Sequence, residues 1–219
     1  MGRIVITDWP HHVTQRGNYK QETFDENADY LRYLKWIAEY CKKYKLSILA
    51  FCLMPNHVHF IAIPHEKDSL SKTFNTCHMR YSHYHNRKKH VTGHLWQGRF
   101  YSCALGEEHL YEAIRYVENN PVRAKLAKRA EDWKWSSAKS HLGEDKSILP
   151  LERVSNYLDI HNWREYLREE HNETIRSQIV ANTLTGRPSG SENFVAKLEK
   201  LFGKRLRPLP EGRPKIGKN

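Results

Sequence analysis

Apolar and polar positions change period several times before residue 121. His11–Arg16 alternates and ends at Gly17-Asn18, which predicts a strand and a turn. Over Asp25–Tyr44, Tyr30, Tyr33, Leu34, Ile37, Ala38 and Cys41 recur at threes and fours, with Lys35, Glu39, Lys42 and Lys43 on the opposite side; this predicts a helix. Leu46–Met54 is an apolar strand. Pro55-Asn56 turns it into a second strand, His57–Ile63, closed by Pro64. Ser69 to about Arg87 is helical, with Leu70, Phe74, Cys77, Tyr81 and Tyr84 on its apolar side. A loop containing Gly98 leads into a strand at Phe100–Leu105, and a helix over Glu107–Asn120 stops at Pro121. The order predicts an α+β fold: a ferredoxin-like βαββαβ antiparallel sheet with an added helix that carries candidate catalytic residues. Helices are expected on one sheet face, with the other left free for ligands.

This first domain is expected over residues 1–145, finishing after Trp133-Lys134-Trp135-Ser136-Ser137. Residues 146–202 form a small helical C-terminal region, with helices at Tyr157–Arg168, Glu173–Asn182 and Ser191–Phe202 and a turn at Thr185–Gly190. It reads either as a DNA-binding helix-turn-helix or as an appendage packed on the first domain. Residues 203–219 hold six basic residues, one acid and three prolines, the composition of a flexible basic tail. Gly212-Arg213-Pro214 within it has the shape of a minor-groove hook, although Glu211 precedes it where such hooks carry a basic residue.

The 219 residues carry a net charge of +11, with six Trp, twelve Tyr and seven Phe. A strongly basic chain selects an anionic partner, and aromatic rings on which bases stack point to single-stranded nucleic acid. The longest apolar run, around Leu46–Met54, is well short of the ~20 residues of a spanning helix, so no membrane segment is visible; an anionic membrane ranks behind nucleic acid as partner, and no membrane partner is expected. The N-terminus lacks the apolar stretch of a signal peptide, and Ile6 stands where a myristoylation signal has Ser or Thr. Cys41, Cys52, Cys77 and Cys103 form no paired motif and read as small buried hydrophobes in a reducing cytoplasm. Arg80, Arg87, Lys88 and Lys89, interleaved with Tyr81, His83, Tyr84, His85 and His90, form a run with no acid: either a solvated face or a DNA-backbone contact. Gln15 and Arg16 face either a ligand or solvent.

The chemistry concentrates in Met54-Pro55-Asn56-His57-Val58-His59-Phe60. His57 and His59 are two apart on a strand, so they share a face and make half of a metal site. Tyr116 and Asn120, four apart on a predicted helix, share another. A tyrosine hydroxyl can attack a phosphodiester and conserve its energy in a phosphotyrosine. A divalent ion would neutralise the phosphate, and Asn120 offers a neutral carbonyl as third ligand, a donor set compatible with Mg2+ or Mn2+. The plain alternatives are a packing role for Tyr116 and a helix cap for Asn120. Ile61 stands where a β-lactamase-like site needs Asp and an H-x-H-x-H site needs His, and an amidohydrolase barrel takes ~250 residues.

Four motifs, H-V-T-Q-R-G-N (12–18), M-P-N-H-V-H-F (54–60), G-H-L-W-Q-G-R-F (93–100) and Y-V-E-N-N-P-V-R-A (116–124), resemble those of REP-associated tyrosine transposases. These are relatives of the single-tyrosine insertion-sequence transposases among the HUH endonucleases. The likeness spans roughly residues 5–140; Gly186–Phe194 and Gly212–Lys215 resemble the longer members. It implies that His57 and His59 are metal ligands, Asn120 the amide ligand and Tyr116 the nucleophile. It also implies a single-stranded DNA hairpin cleaved to a 5′-phosphotyrosine and a free 3′-OH. Arg16, Gln97, Arg99 and Arg123 lie in these motifs and, with Arg80, Arg87, Lys88, Lys89 and Arg213, are the expected DNA contacts. Lys125 departs from the family's glycine, beyond the catalytic face. The chain is expected in the cytoplasm, on the nucleoid when bound, as a monomer or homodimer without an obligate protein partner. The rival reading is a domesticated hairpin-binding protein with a regulatory or chromosome-structural role.

Overall fold

The computed structural model of the chain describes residues 4–208. Its first half runs β1 (His11–Arg16), α1 (Asn27–Lys43), β2 (Leu46–Met54), β3 (His57–Pro64), α2 (Ser69–Lys89), β4 (Tyr101–Ala104) and α3 (Glu107–Glu118). The strands form one antiparallel sheet in the order β2-β3-β1-β4, which is the expected βαββαβ arrangement plus a helix. α1 starts where the Asp29 carboxylate accepts from the backbone N–H groups of Asp25 and Glu26, at 3.0 and 3.2 Å.

The strands sort their side chains by alternation. Val13, Phe51, Leu53, Val58 and Phe60 point to α1 and α2, where they meet Tyr33, Ile37, Phe74 and Tyr81. Cys52, Met54, Ile61, Ile63 and Cys103 point the other way. β2 keeps both faces apolar through a bulge between Ile48 and Ala50 that resets the phase, so Leu46 and Ile48 share a face with Phe51 and Leu53.

That second face is covered, contrary to the expectation of a free one. α3 lays Leu110, Ala113, Ile114 and Val117 on it, and α7 (Glu173–Thr185) adds Ile179 beside β4 and β1. An amphipathic helix as apolar on one side as α3 must bury that side, and the apolar residues of β2 and β3 are the partner it finds. α3 ends two residues earlier than expected, at Glu118. Asn119 caps it, and a separate turn, α4 (Asn120–Arg123), follows with Pro121 near its start, where the missing N–H costs little. The chain continues through α5 (Ala138–His141), α6 (Trp163–Arg168), α7 and α8 (Glu192–Phe202).

Three C-terminal expectations change. The helix expected over Tyr157–Arg168 starts only at Trp163, because the Asn162 side chain accepts from the N–H groups of Arg164 and Glu165 and caps it there. The α7–turn–α8 unit does not project as a reading head. Ile179 and Thr183 are buried against the sheet, and Ser189 pairs with Ala104 and Gly106 at the end of β4. The basic tail begins as a tethered segment: Leu206 packs with Ile4 and Leu198, and the N–H groups of Leu206 and Arg207 donate to Glu199. All four cysteines are buried and unpaired. Among the described residues no helix is long and apolar enough to cross a membrane.

Candidate active site

β3 presents His57 and His59 side by side, ring centroids 5.0 Å apart and nearly perpendicular. Antiparallel register sets Arg16 opposite His57 and Thr14 opposite His59. The end of α3 brings Tyr116 over them: its ring meets His59 edge-on at 5.5 Å and His12 at 6.0 Å. The Arg123 guanidinium stands 5.2 Å from the Tyr116 ring centroid. Thr14, Arg16, His57, His59, Tyr116 and Arg123, with Gln15, Gln97, Tyr101, Asn120 and Ala124 and with Val180 and Leu184 of α7, line a cavity of about 430 Å3.

The placement of Tyr116 rests on its neighbours in sequence. Glu118 is fully buried and accepts from Ser137, from His141 at 2.7 Å and from the Trp163 indole at 2.8 Å. Asn119 donates to the Leu167 carbonyl at 2.8 Å. The C-terminal end of α3 is therefore tied at two successive residues, and the turn carrying Asn120 and Arg123 starts from a fixed point. The break after Glu118 means that Tyr116 and Asn120 do not ride one continuous helix, yet both reach the cavity.

Both histidine rings are pinned through Nδ1. His57 Nδ1 donates to Asn56 Oδ1 at 2.6 Å, and His59 Nδ1 lies 2.9 Å from His12 Nε2. Pinning Nδ1 leaves Nε2 of each ring for a ligand in the cavity. Burial pushes His57 down to about 4; Arg16 acts in the same direction and the neighbouring Asn120 side chain opposes it. Burial also holds His59 well below its usual range, reinforced by His57, His12, Arg16 and Arg123. The pair is neutral at pH 7, the form that coordinates metals. Among the described residues no group of three His, Cys, Asp or Glu side chains is placed to hold a metal ion; the side chains in the cavity that could offer donors to one are the two imidazoles and the Asn120 amide. Among the described residues the buried Asn120 Nδ2 has no partner, as expected if the amide is oriented for its oxygen. These residues fit a divalent cation with open positions for water or substrate.

The expected DNA contacts divide. Arg16, Gln97 and Arg123 line the cavity. Gln97 and Arg99 line an adjoining groove of about 580 Å3 with His83, Asn86 and Trp96. Arg87 is exposed near the end of α2. The remainder of the basic run is not an unopposed patch. Arg80 pairs with Glu39 at 2.9 Å, Lys88 with Glu26 and Asp29 at 2.7 and 2.9 Å, and Lys89 with Asp25 at 2.9 Å. The acids come from α1 and the residues before it, so the sequence of α2 alone could not show them. Arg213 lies outside the described residues.

Sequence reasoning placed His12 on a strand and most of α7 in a helix but gave neither a role in the site. His12 is two residues before Thr14 and four before Arg16, a spacing that places all three on one strand face. That was the available signal; nothing in the sequence placed Thr183 beside it.

The fold and site together define a class: a split βαββαβ sheet whose third-numbered strand carries paired histidines facing a tyrosine on an added helix. The chain belongs to the IS200-like transposase family, whose profile matches residues 6–120. A Haemophilus influenzae protein described as a REP-associated tyrosine transposase is 23% identical over 108 residues, 44% of this chain; the match spans 61% of that relative's length. The fold also matches the structure of a REP-associated tyrosine transposase bound to a REP hairpin, with TM-score 0.52 and 20% identity, over 74% of this chain and 94% of that one.

Proposed function

We propose that this chain is a metal-dependent single-stranded DNA endonuclease and strand transferase that recognises REP-type hairpin DNA and cleaves it through a covalent 5′-phosphotyrosine on Tyr116. The observation that carries the reading is the cavity itself. It gathers Tyr116, the neutral His57–His59 pair and Asn120, and three of its buried polar atoms, Gln15 Oε1, Arg16 Nε and Asn120 Nδ2, have no partner among the described residues. Arg16 Nε and Asn120 Nδ2 are donors, and unsatisfied buried donors beside a nucleophile suit an anionic ligand; Gln15 Oε1 is an acceptor. The groove continuing past Gln97 to Arg99 and Trp96 offers a path for an unpaired strand, with charge for phosphates and a ring for bases. The hairpin-bound relative supports the same partner.

In this mechanism Tyr116 Oη attacks phosphorus, the new O–P bond forms as the P–O3′ bond breaks, and the phenolic proton passes to water. The departing 3′ oxygen takes up a proton as a free 3′-OH. Arg16 and Arg123 donate to the phosphate oxygens and orient it for in-line attack. Mg2+ or Mn2+, held by His57, His59 and Asn120, would neutralise charge on the non-bridging oxygens. Attack of a 3′-OH on the phosphotyrosine reverses the bond exchange and rejoins or transfers the strand without ATP.

The test is cleavage of labelled single-stranded hairpins, taken from the DNA flanking the gene, with Mn2+ present. Wild type is expected to nick one strand, and His57→Ala to lose at least 100-fold in rate while still binding the hairpin. Full cleavage by His57→Ala removes the metal assignment, and hairpin binding without cleavage by wild type leaves a binding protein.

A further inference from the structure

Thr183 is almost completely buried in α7, far in sequence from the histidine strand and beyond residues 6–120. Its hydroxyl donates to the Ile179 carbonyl one turn back, at 2.7 Å. A hydroxyl has one proton and a carbonyl only accepts, so Thr183 Oγ1 has nothing further to donate. His12 Nδ1 lies 2.7 Å from that oxygen and must therefore supply the N–H between them. A neutral imidazole carries a single N–H, which leaves His12 Nε2 as a bare acceptor. Facing it at 2.9 Å is His59 Nδ1, which must be the protonated nitrogen of its own ring. His59 Nε2 is then left with its lone pair toward the cavity.

We infer that Thr183 is a positioning residue for the metal-ligand pair: through His12 it fixes His59 in the tautomer that offers Nε2 to a divalent cation. The helical back-bond of Thr183 sets the direction of the whole chain of donors. Reversing any one link would set two acceptors or two donors against each other. Cys103 Sγ, 3.1 Å from Thr183 Oγ1, can donate its S–H to the remaining lone pair without disturbing that direction. The two ring planes are within 11° of each other with centroids 5.2 Å apart, so His12 fixes the plane of His59 as well as its proton. The C-terminal helix thereby contributes to the site through a contact rather than as a separate module. This inference rests on the metal-assisted reading above, and its test separates the two.

The experiment uses the full chain labelled with 15N at histidine, with long-range 1H–15N spectra to assign the protonated nitrogen of each ring, and a titration of the metal-free protein with Mn2+ alone followed by EPR of the free ion. Wild type is expected to show His59 protonated at Nδ1 only. Thr183→Val keeps the shape and removes the hydroxyl; it is expected to mix the tautomers of His12 and His59 and to weaken Mn2+ binding about 10- to 100-fold. Thr183→Ser should restore both. Ile179→Val, a packing change one turn away, should alter neither, and thermal unfolding confirms that each variant is folded. The inference is overturned if Thr183→Val keeps the Nδ1-protonated His59 and wild-type Mn2+ affinity, or if Ile179→Val reproduces its losses. Wild-type protein that binds no Mn2+ overturns the metal reading instead, and the spectra then decide the role of Thr183 alone.

Discussion

An imidazole is a ligand only through a bare nitrogen turned the right way. Asn56 and His12 do that turning for His57 and His59, one by a contact adjacent in sequence and one across two strands. Asn56 read only as part of a turn, whereas the H-x-H spacing and Tyr116 were legible in the chain. His12 was not, because its contact to His59 is a diagonal one that depends on a register pairing His12 with Ile61 and Thr14 with His59. A neighbouring residue gives a cleaner view of how burial holds histidines neutral. His11 is fully buried, with Nδ1 donating to the Trp9 carbonyl at 2.7 Å, and burial pushes it down to about 4. The unfolded chain protonates this histidine below about pH 6.5, while the folded chain resists until about 4. Its contribution to stability is therefore complete above pH 6.5 and declines as pH falls through that window, by about 3 kcal/mol at most. Urea unfolding at several pH values should show this decline. His11→Gln should be less stable at pH 7.5 yet depend less steeply on pH below 6.5, and an unchanged slope would assign the decline to other groups.

Among the elements, periodicity located every strand and most helices, since alternation and the three-four repeat are set by burial. It did not show the β2 bulge, because a run apolar on both faces hides a phase change. Nor did it show the cover on the second face, which is a property of how α3 and α7 pack rather than of either helix. The 187–190 turn is one such tertiary feature with a steric signature. A Cβ on Gly190 would lie 2.2 Å from Phe194 Cδ1 and 2.9 Å from its Cγ. Phe194 has little room to yield, since its ring stacks on Trp9 with centroids 5.7 Å apart. Gly190→Ala should therefore cost about 1–3 kcal/mol by overpacking, read as a lowered thermal midpoint. Gly98→Ala, where a Cβ meets nothing within 4 Å, should leave the midpoint nearly unchanged.

At the scale of the molecule, the expected boundary near residue 145 cuts through a core. Val154, Leu158, Tyr166, Leu167 and Ile179 pack in one cluster with Leu110, Ala113, Ile114 and Val117 of α3. The same region supplies Trp163 to Glu118, and Glu169 and His171 to the buried Glu112–Arg115 pair. Removing it would uncover the apolar groups and strand the Glu112–Arg115 pair with its remaining polar atoms unsatisfied. A chain ending at Asp145 should lack a cooperative thermal transition, whereas a wild-type midpoint would show that residues 1–145 stand alone. The charge of +11 spread over this body suits a polyanion, and binding to hairpin DNA should weaken steeply with salt. The central claim is that Tyr116 becomes joined to DNA. It is tested most directly by incubating the protein with a hairpin oligonucleotide and Mn2+, denaturing and digesting it, and locating the nucleotide-bearing peptide by mass spectrometry. The account predicts a 5′-phosphate linked to Tyr116, absent in Tyr116→Phe; cleavage with no adduct, or an adduct on another residue, would contradict it.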